Sequence, residues 1–206
     1  MRNRILLACM LAFACVLAAV GAAATRAAGG LPAAGESQAT PDQAQSERAL
    51  AKARAVHDGA VHWLGGQIKG YQRSTWHWQR VMGRPLAQRE GLDLLSMSVP
   101  AVKQAVVRWH GRAVAARRAA AHPPHLEDWL CIHSYEAGWT DVGGLYYGGL
   151  QMDWGFMSRY GGFLLREKGP ANRWTPLEQM WVAERAYRSG RGFYPWPNTA
   201  RTCGLL

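Results

Sequence analysis

The chain has 206 residues, a length that predicts one or two domains. It has 24 Lys and Arg against 14 Asp and Glu, and its formal net charge of +10 predicts an anionic partner. The sequence contains no glycine-rich phosphate-binding motif and no serine nucleophile elbow, so no cofactor is expected. We also expect no metal centre, because His133 and Glu136 have no further ligands at a suitable spacing.

The beginning of the chain has the pattern of an export signal. Arg2 and Arg4 precede an apolar run over residues 5–20, and small residues follow at 21–24. A charged start, an apolar core and a small-residue exit are typical of a secretory signal peptide. The run is shorter than the roughly 20 apolar residues that a membrane-spanning helix needs. We therefore predict a signal peptide over residues 1–24 and a protein that is secreted, extracellular or associated with the cell wall.

Export changes how the cysteines are interpreted. Cys9 and Cys15 leave with the predicted signal, so that Cys131 and Cys203 remain in a compartment that allows oxidation. A disulfide between them closes a loop of about 70 residues and contributes roughly 4 kcal/mol on the chain-entropy model. Such a bond is useful to a domain of about 80 residues, which buries little surface by itself. The alternative is two free thiols.

Residues 25–45 are mostly small and polar and predict a disordered linker, whereas residues 46–121 have helical periodicity. Apolar positions recur at alternating steps of four and three in two runs. The runs are His57, Val61, Leu64, Ile68, Tyr71, Thr75, Trp78 and Met82, and then Val102, Val106, Trp109, Ala113 and Ala116. We predict two helices packed as an antiparallel hairpin, the first of them weakened at Gly65, Gly66 and Gly70.

Positive charge is concentrated in this helical region. Residues 46–121 carry 13 Lys and Arg against 4 Asp and Glu, whereas residues 122–206 carry 8 of each. Candidate partners of the basic region are anionic wall polymers or a membrane surface. The alternative is that the cations are only the solvated faces of two helices. Nucleic acid is not expected for an exported chain, and the two prolines within residues 122–125 mark the boundary to the second half.

A short helix that ends near Gly138 carries the candidate catalytic acid. Trp129, Ile132 and Glu136 are three, four and seven positions apart, so they share one face of this helix. Two further aromatic residues, Tyr135 and Trp139, stand beside Glu136. A carboxyl group among aromatic side chains loses hydration of its charged form, which favours the protonated form that a general acid needs.

The loop that follows has the residue types of a sugar-binding surface. Tyr146 and Tyr147 offer aromatic faces, the glycine pair that ends with Gly149 leaves backbone uncovered, and Gln151 supplies an amide donor and acceptor. Sugar rings have apolar faces and hydroxyl edges that suit such a surface. The alternative is an ordinary hairpin built from glycines and tyrosines.

Capping residues predict the remaining helices. Asp153 is the expected N-cap of a helix that ends at residues 161–162. Thr175 and Glu178 form a capping box that begins the next helix. On that helix Glu184 and Arg188 are four apart, and we expect them to pair at the surface in a structural role.

Six short motifs of this second half occur in an order that resembles one protein family. They are EAGW at 136–139, YYGGLQ at 146–151, YGG at 160–162, VAER at 182–185, PW at 195–196 and CGL at 203–205. Together they resemble the resuscitation-promoting-factor and transglycosylase-like domains of actinobacteria, over residues 129–206. Two departures are Trp139, where the family usually has glycine, and Cys131, which lies further from the glutamate than the family's cysteine.

This resemblance implies a fold and a reaction. The fold is mainly α, with an α+β lysozyme-like minimal domain over residues 122–206 after the basic helical hairpin. The reaction is cleavage of the bond between N-acetylmuramic acid and N-acetylglucosamine in peptidoglycan, with Glu136 as acid and then base. Tyr135, Trp139, Tyr146, Tyr147, Gly149 and Gln151 are the candidate substrate-binding residues. Asp141 is the candidate second carboxylate if the reaction is hydrolysis. The alternative function is a non-catalytic module that binds wall glycans and carries a basic surface-attachment segment.

Overall fold

A computed structural model describes residues 40–206, which are mainly helical. The predicted signal peptide and residues 25–39 of the predicted linker lie outside the described residues. The helices are α1 (Pro41–Val81), α2 (Val99–Ala120), α3 (Leu126–Tyr135), α4 (Trp154–Lys168), α5 (Pro176–Ala186) and α6 (Pro197–Thr202). Strands β1 (Val142–Gly143), β2 (Tyr146–Tyr147) and β3 (Met152–Asp153) form an antiparallel sheet in that order. In the part of the chain covered by these elements, no helix is both long and apolar enough to cross a bilayer.

Helix α1 begins inside the predicted linker. Thr40 accepts a hydrogen bond from the backbone N–H of Gln43, and the Gln43 side chain accepts one from the N–H of Thr40. This capping box satisfies two N–H groups at the helix end, and Pro41 occupies the first helical position, where no N–H is needed. The helix then continues unbroken through its glycines to Val81.

The two helices of the basic region run parallel, so the predicted antiparallel hairpin is wrong. Near its middle, His57 of α1 lies 3.2 Å from the backbone oxygen of Met97, just before α2 begins. Further along, Tyr71 contacts His110, with ring centroids 5.0 Å apart. At the end of α1, Val81 joins the same core cluster as Ala120. Residue numbers therefore rise together along both helices.

The connection explains the parallel arrangement. Residues 83–98 form no helix and run back along α1, where Trp76 donates to the oxygen of Ala87 and Leu94 covers Gly65. Sixteen extended residues span about 50 Å, more than the roughly 36 Å by which α1 rises from residue 57 to residue 81. The spacing of the apolar residues identified the faces through which the two helices pack, but this spacing carries no information on the relative direction of the helices.

The helix pair, α1 with α2, ends in the core of the second half of the chain. Arg185 of α5 donates through one guanidinium nitrogen to the oxygens of Arg80 and Val81, the latter at 2.7 Å. Trp181 of α5 donates to the oxygen of Ala120 at 2.8 Å. Both side chains satisfy carbonyl groups that a helix C-terminus leaves without a partner. The C-terminal ends of α1 and α2 are therefore packed into the core of the second half, whereas the rest of the helix pair has a separate core between α1 and α2.

Helix α4 begins at the predicted N-cap but ends later than predicted. Asp153 accepts a bond from the N–H of Phe156 at 2.7 Å. The helix passes through Gly161, where the backbone is locally non-helical, and continues to Lys168. A Cβ at Gly161 would stand 2.6 Å from the ring of Trp174, so this glycine allows close packing of that ring and kinks the helix.

Helix α5 begins at the predicted capping box of Thr175 and Glu178 and is the central helix of the second half. Its residues Met180 to Glu184 are all buried. Glu184 is fully buried and accepts from the Trp129 indole and the backbone N–H of His125, both at 2.9 Å, while Arg188 stays 4.0 Å away. Glu184 and Arg188 therefore form the predicted ion pair, but not at the surface, because Glu184 is buried on a helix that is covered on nearly every side.

Candidate functional site

Glu136 follows the last residue of α3 and is half-buried. Trp129 and Ile132, which share its predicted face, are both fully buried, so α3 is anchored in the core by this stripe. The Thr199 hydroxyl donates to Oε1 of Glu136 at 2.8 Å. One carboxyl oxygen of Glu136 is thereby held in place, and Oε2 has no hydrogen-bond partner among residues 40–206.

The disulfide between Cys131 and Cys203 is present, as predicted. It joins α3 to the residue that follows α6 and has a Cα–Cα distance of 6.1 Å. Thr199 lies on α6, so the disulfide and the hydrogen bond from Thr199 to Glu136 connect the same two elements. The covalent link restrains α6 against α3 and so keeps the hydroxyl near the carboxyl group.

The turn between β2 and β3 is held by two side chains from elements near Glu136. His133, three residues before Glu136, lies 3.1 Å through Nδ1 from the oxygen of Gly149. Trp196, the N-cap residue of α6, donates to the oxygen of Leu150 at 2.6 Å. These two bonds place the turn between β2 and β3 beside the elements that carry Glu136 and Thr199.

The predicted bare backbone at Gly148 and Gly149 is not available to a ligand. Both glycines are buried. A Cβ at Gly149 would lie 2.6 Å from His133 and 2.7 Å from Trp139, and one at Gly148 would overlap the side chain of Gln179. Gly149 is therefore a packing residue that lets the turn approach α3 and α5, and we remove it from the substrate-binding residues.

The predicted aromatic residues divide into two groups by exposure. Tyr146 is 48% exposed and Tyr135 is 58% exposed. Tyr147 and Trp139 pack partly against the core, and Trp139 stacks on His133 with ring centroids 3.8 Å apart. Successive residues of a strand point to opposite faces, which explains why Tyr146 faces outward and Tyr147 inward. Tyr135 and Tyr146 are the surfaces available for stacking on sugar rings.

Gln151 and Asp141 lie in contact on this sheet. The Gln151 amide nitrogen donates to Oδ2 of Asp141 at 3.1 Å and to the oxygen of Gly148 at 2.9 Å. Gln151 is also the one non-glycine residue of the described chain with a positive φ, at 44°. Both N–H groups of the amide are used within the protein, so the amide oxygen of Gln151 is the atom left to accept from a substrate.

Two residues at the site were missed by the sequence-based reasoning. Thr199 is 63 positions from Glu136, and nothing in its local pattern indicates the contact. Gln179 is fully buried. Its side chain accepts a hydrogen bond from the backbone N–H of Gly149 and donates one to the backbone oxygen of Trp139.

Comparison with protein-family models, with curated proteins and with solved structures finds no match to this chain. The resemblance to the transglycosylase-like family therefore rests on the six ordered motifs alone.

The basic region is a second candidate surface. All 13 of its Lys and Arg residues are exposed. Three of them pair with carboxylates: Arg80 with Glu167, and Arg108 and Arg112 with Glu90. The others have no ion pair within residues 40–206. This exposure suits both attraction to an anionic surface and simple solvation, so the predicted partner stays a prediction.

Proposed function

We propose that this protein is a secreted enzyme that cleaves peptidoglycan glycan strands between N-acetylmuramic acid and N-acetylglucosamine. Glu136 is the proposed catalytic residue. The observation that carries the proposal is its position at the end of a helix anchored in the core, with Oε1 held by Thr199 and Oε2 without a hydrogen-bond partner within residues 40–206. The six motifs shared with the transglycosylase-like family support the same residue.

The proposed reaction uses one carboxyl group twice. Protonated Glu136 transfers its proton to the glycosidic oxygen as the bond from that oxygen to C1 of muramic acid breaks. The resulting carboxylate then takes the proton of the C6 hydroxyl while O6 bonds to C1. The products are a 1,6-anhydro end and a free hydroxyl on the leaving sugar, and Glu136 is protonated again. Water in place of O6 gives hydrolysis, for which a second carboxylate is usual and Asp141 is the candidate.

The exposed aromatic residues would bind the glycan. Tyr135 precedes Glu136 directly, and Tyr146 lies on the outer face of the sheet. Stacked sugar rings on these two faces would direct a glycosidic bond towards Oε2, with the Gln151 oxygen accepting a hydroxyl. An open surface of this kind suits a long polymer, which extends beyond the site on both sides.

The test is mass spectrometry of the fragments that the purified protein releases from isolated peptidoglycan. We expect anhydro ends from the wild type and none from Glu136→Gln, which keeps the shape but has no ionisable proton. Glu127→Gln is the matched control, since Glu127 is an exposed carboxylate in the first turn of the same helix. Glycan retained without any released fragment would instead indicate a binding module. Cleavage by Glu136→Gln at the wild-type rate would refute the proposal.

Thr199 is the proposed positioning residue for Glu136. Replacing it by valine removes the hydroxyl at nearly constant volume, and we expect kcat to fall about tenfold, or about 1.4 kcal/mol, with KM little changed. Thr199→Ser should restore most of the rate because it retains the donor. Equal losses in both variants would mean that the side chain acts through packing rather than through its hydrogen bond.

A further inference from the structure

A cavity of about 430 Å³ lies in the helix pair, between α1 and the returning segment 83–98. Its size falls in the range of small-molecule sites. Ile68 of α1 forms one apolar wall, and Leu92 and Leu94 of the returning segment form the other. The parallel arrangement of the helices creates this space, since the connection must run back along the outside of α1.

Positive charge surrounds the opening of the cavity. Lys69, Arg73 and Arg89 line it, are exposed, and have no carboxylate partner within residues 40–206. Lys69 and Arg73 are four apart on α1, where like charges lie on the same face and repel each other. The one acidic residue of the lining, Glu90, is paired with Arg112 at 2.8 Å and lies 3.5 Å from Arg108. An anion at the opening would relieve the repulsion and meet no opposing free carboxylate.

A polar side chain inside the cavity also lacks a partner. Gln72 is only 8% exposed and lines the same space. Its amide forms no hydrogen bond with any residue of the described range 40–206. The amide is therefore available to a ligand that carries a polar atom at the level of Gln72.

We propose that this cavity binds an amphipathic lipid anion. The acyl chain lies between Ile68 and the two leucines, and the phosphate or carboxylate head lies between Lys69 and Arg73, within reach of the Gln72 amide. The apolar walls explain why a chain is needed, and the unpaired cations explain why the head is anionic. This site is separate from Glu136 and does not depend on the proposed cleavage of peptidoglycan.

Isothermal titration calorimetry of the purified protein with dodecyl phosphate, below its micelle concentration, tests the site. Inorganic phosphate tests the head alone, and dodecanol tests the chain alone. We expect both to bind at least about tenfold more weakly than dodecyl phosphate, or by about 1.4 kcal/mol. Inorganic phosphate binding as tightly as dodecyl phosphate would mean a simple phosphate site and would overturn the proposal, and so would equally tight dodecanol.

Variants locate the binding. Lys69→Glu with Arg73→Glu should weaken dodecyl phosphate binding at least about tenfold. The matched control is Lys52→Glu with Arg54→Glu, the same charge change at exposed positions of α1 away from the cavity, and it should weaken binding less than about twofold. Leu92→Trp fills the cavity and should weaken binding as strongly as the charge reversal. Equal effects of the two charge reversals, or unchanged binding in Leu92→Trp, would refute this location.

Discussion

A buried carboxylate connects the basic region to the second half of the chain. Glu178 of α5 is only 1% exposed. Its carboxylate accepts a hydrogen bond from Lys168 of α4 at 2.6 Å and one from the backbone N–H of Thr175 at 2.8 Å. Its Oε1 also lies 2.8 Å from the ring of His77 on α1. Burial alone would raise the pKa of Glu178, but the hydrogen bonds from His77, Lys168 and Thr175 outweigh it and lower the pKa from 4.5 to about 2.

The lowered pKa converts directly into stability. A shift from 4.5 to about 2 corresponds to about 3 kcal/mol of preference for the charged form in the folded state. Because the folded pKa of Glu178 is the lower one, this contribution is fully present above pH 4.5 and is lost as the pH falls towards 2. Glu178→Gln should therefore lower the free energy of unfolding by about 3 kcal/mol near neutral pH and by much less at low pH.

Urea unfolding at several pH values between about 6 and about 2.5 measures this difference. Glu167→Gln is the matched control, because Glu167 pairs with Arg80 at 2.9 Å but both side chains are about half exposed. Such an exposed pair contributes at most about 1 kcal/mol. If Glu178→Gln destabilises no more than Glu167→Gln, or equally at all pH values, the network does not hold the charged form as described.

Two further predictions concern the support of the site. Replacing Cys131 and Cys203 by serine together should lower the free energy of unfolding by roughly 4 kcal/mol, measured by urea unfolding under oxidising conditions, because the unfolded chain regains a long open loop. A loss below about 1 kcal/mol would show that the disulfide contributes little. Gly149→Ala should destabilise by about 1–3 kcal/mol, because its Cβ meets His133 and Trp139. Gly66→Ala on α1 is the control in thermal unfolding, because its added Cβ meets no atom within 4 Å. This control should stabilise the protein by up to about 1 kcal/mol. A change in stability of the same sign in both variants would contradict the packing explanation.

Local signals were sufficient for features that depend on neighbouring residues. The capping box of Thr175 and the N-cap Asp153 were predicted because each is satisfied by a backbone group three positions away. The disulfide was predictable since removal of the expected signal leaves only Cys131 and Cys203 as partners. The apolar seams of α1 and α2 follow from the helical period, which depends only on spacing.

Tertiary contacts decided everything that depends on how distant segments meet. The parallel direction of α1 and α2 is set by the returning segment 83–98, and apolar spacing is the same for either direction. Glu184 is buried because α5 is surrounded, a property of its neighbours rather than of its own sequence. The hydrogen bond from Thr199 to Glu136 joins residues 63 positions apart, and only the packing of α6 on α3 brings the hydroxyl to the carboxyl group.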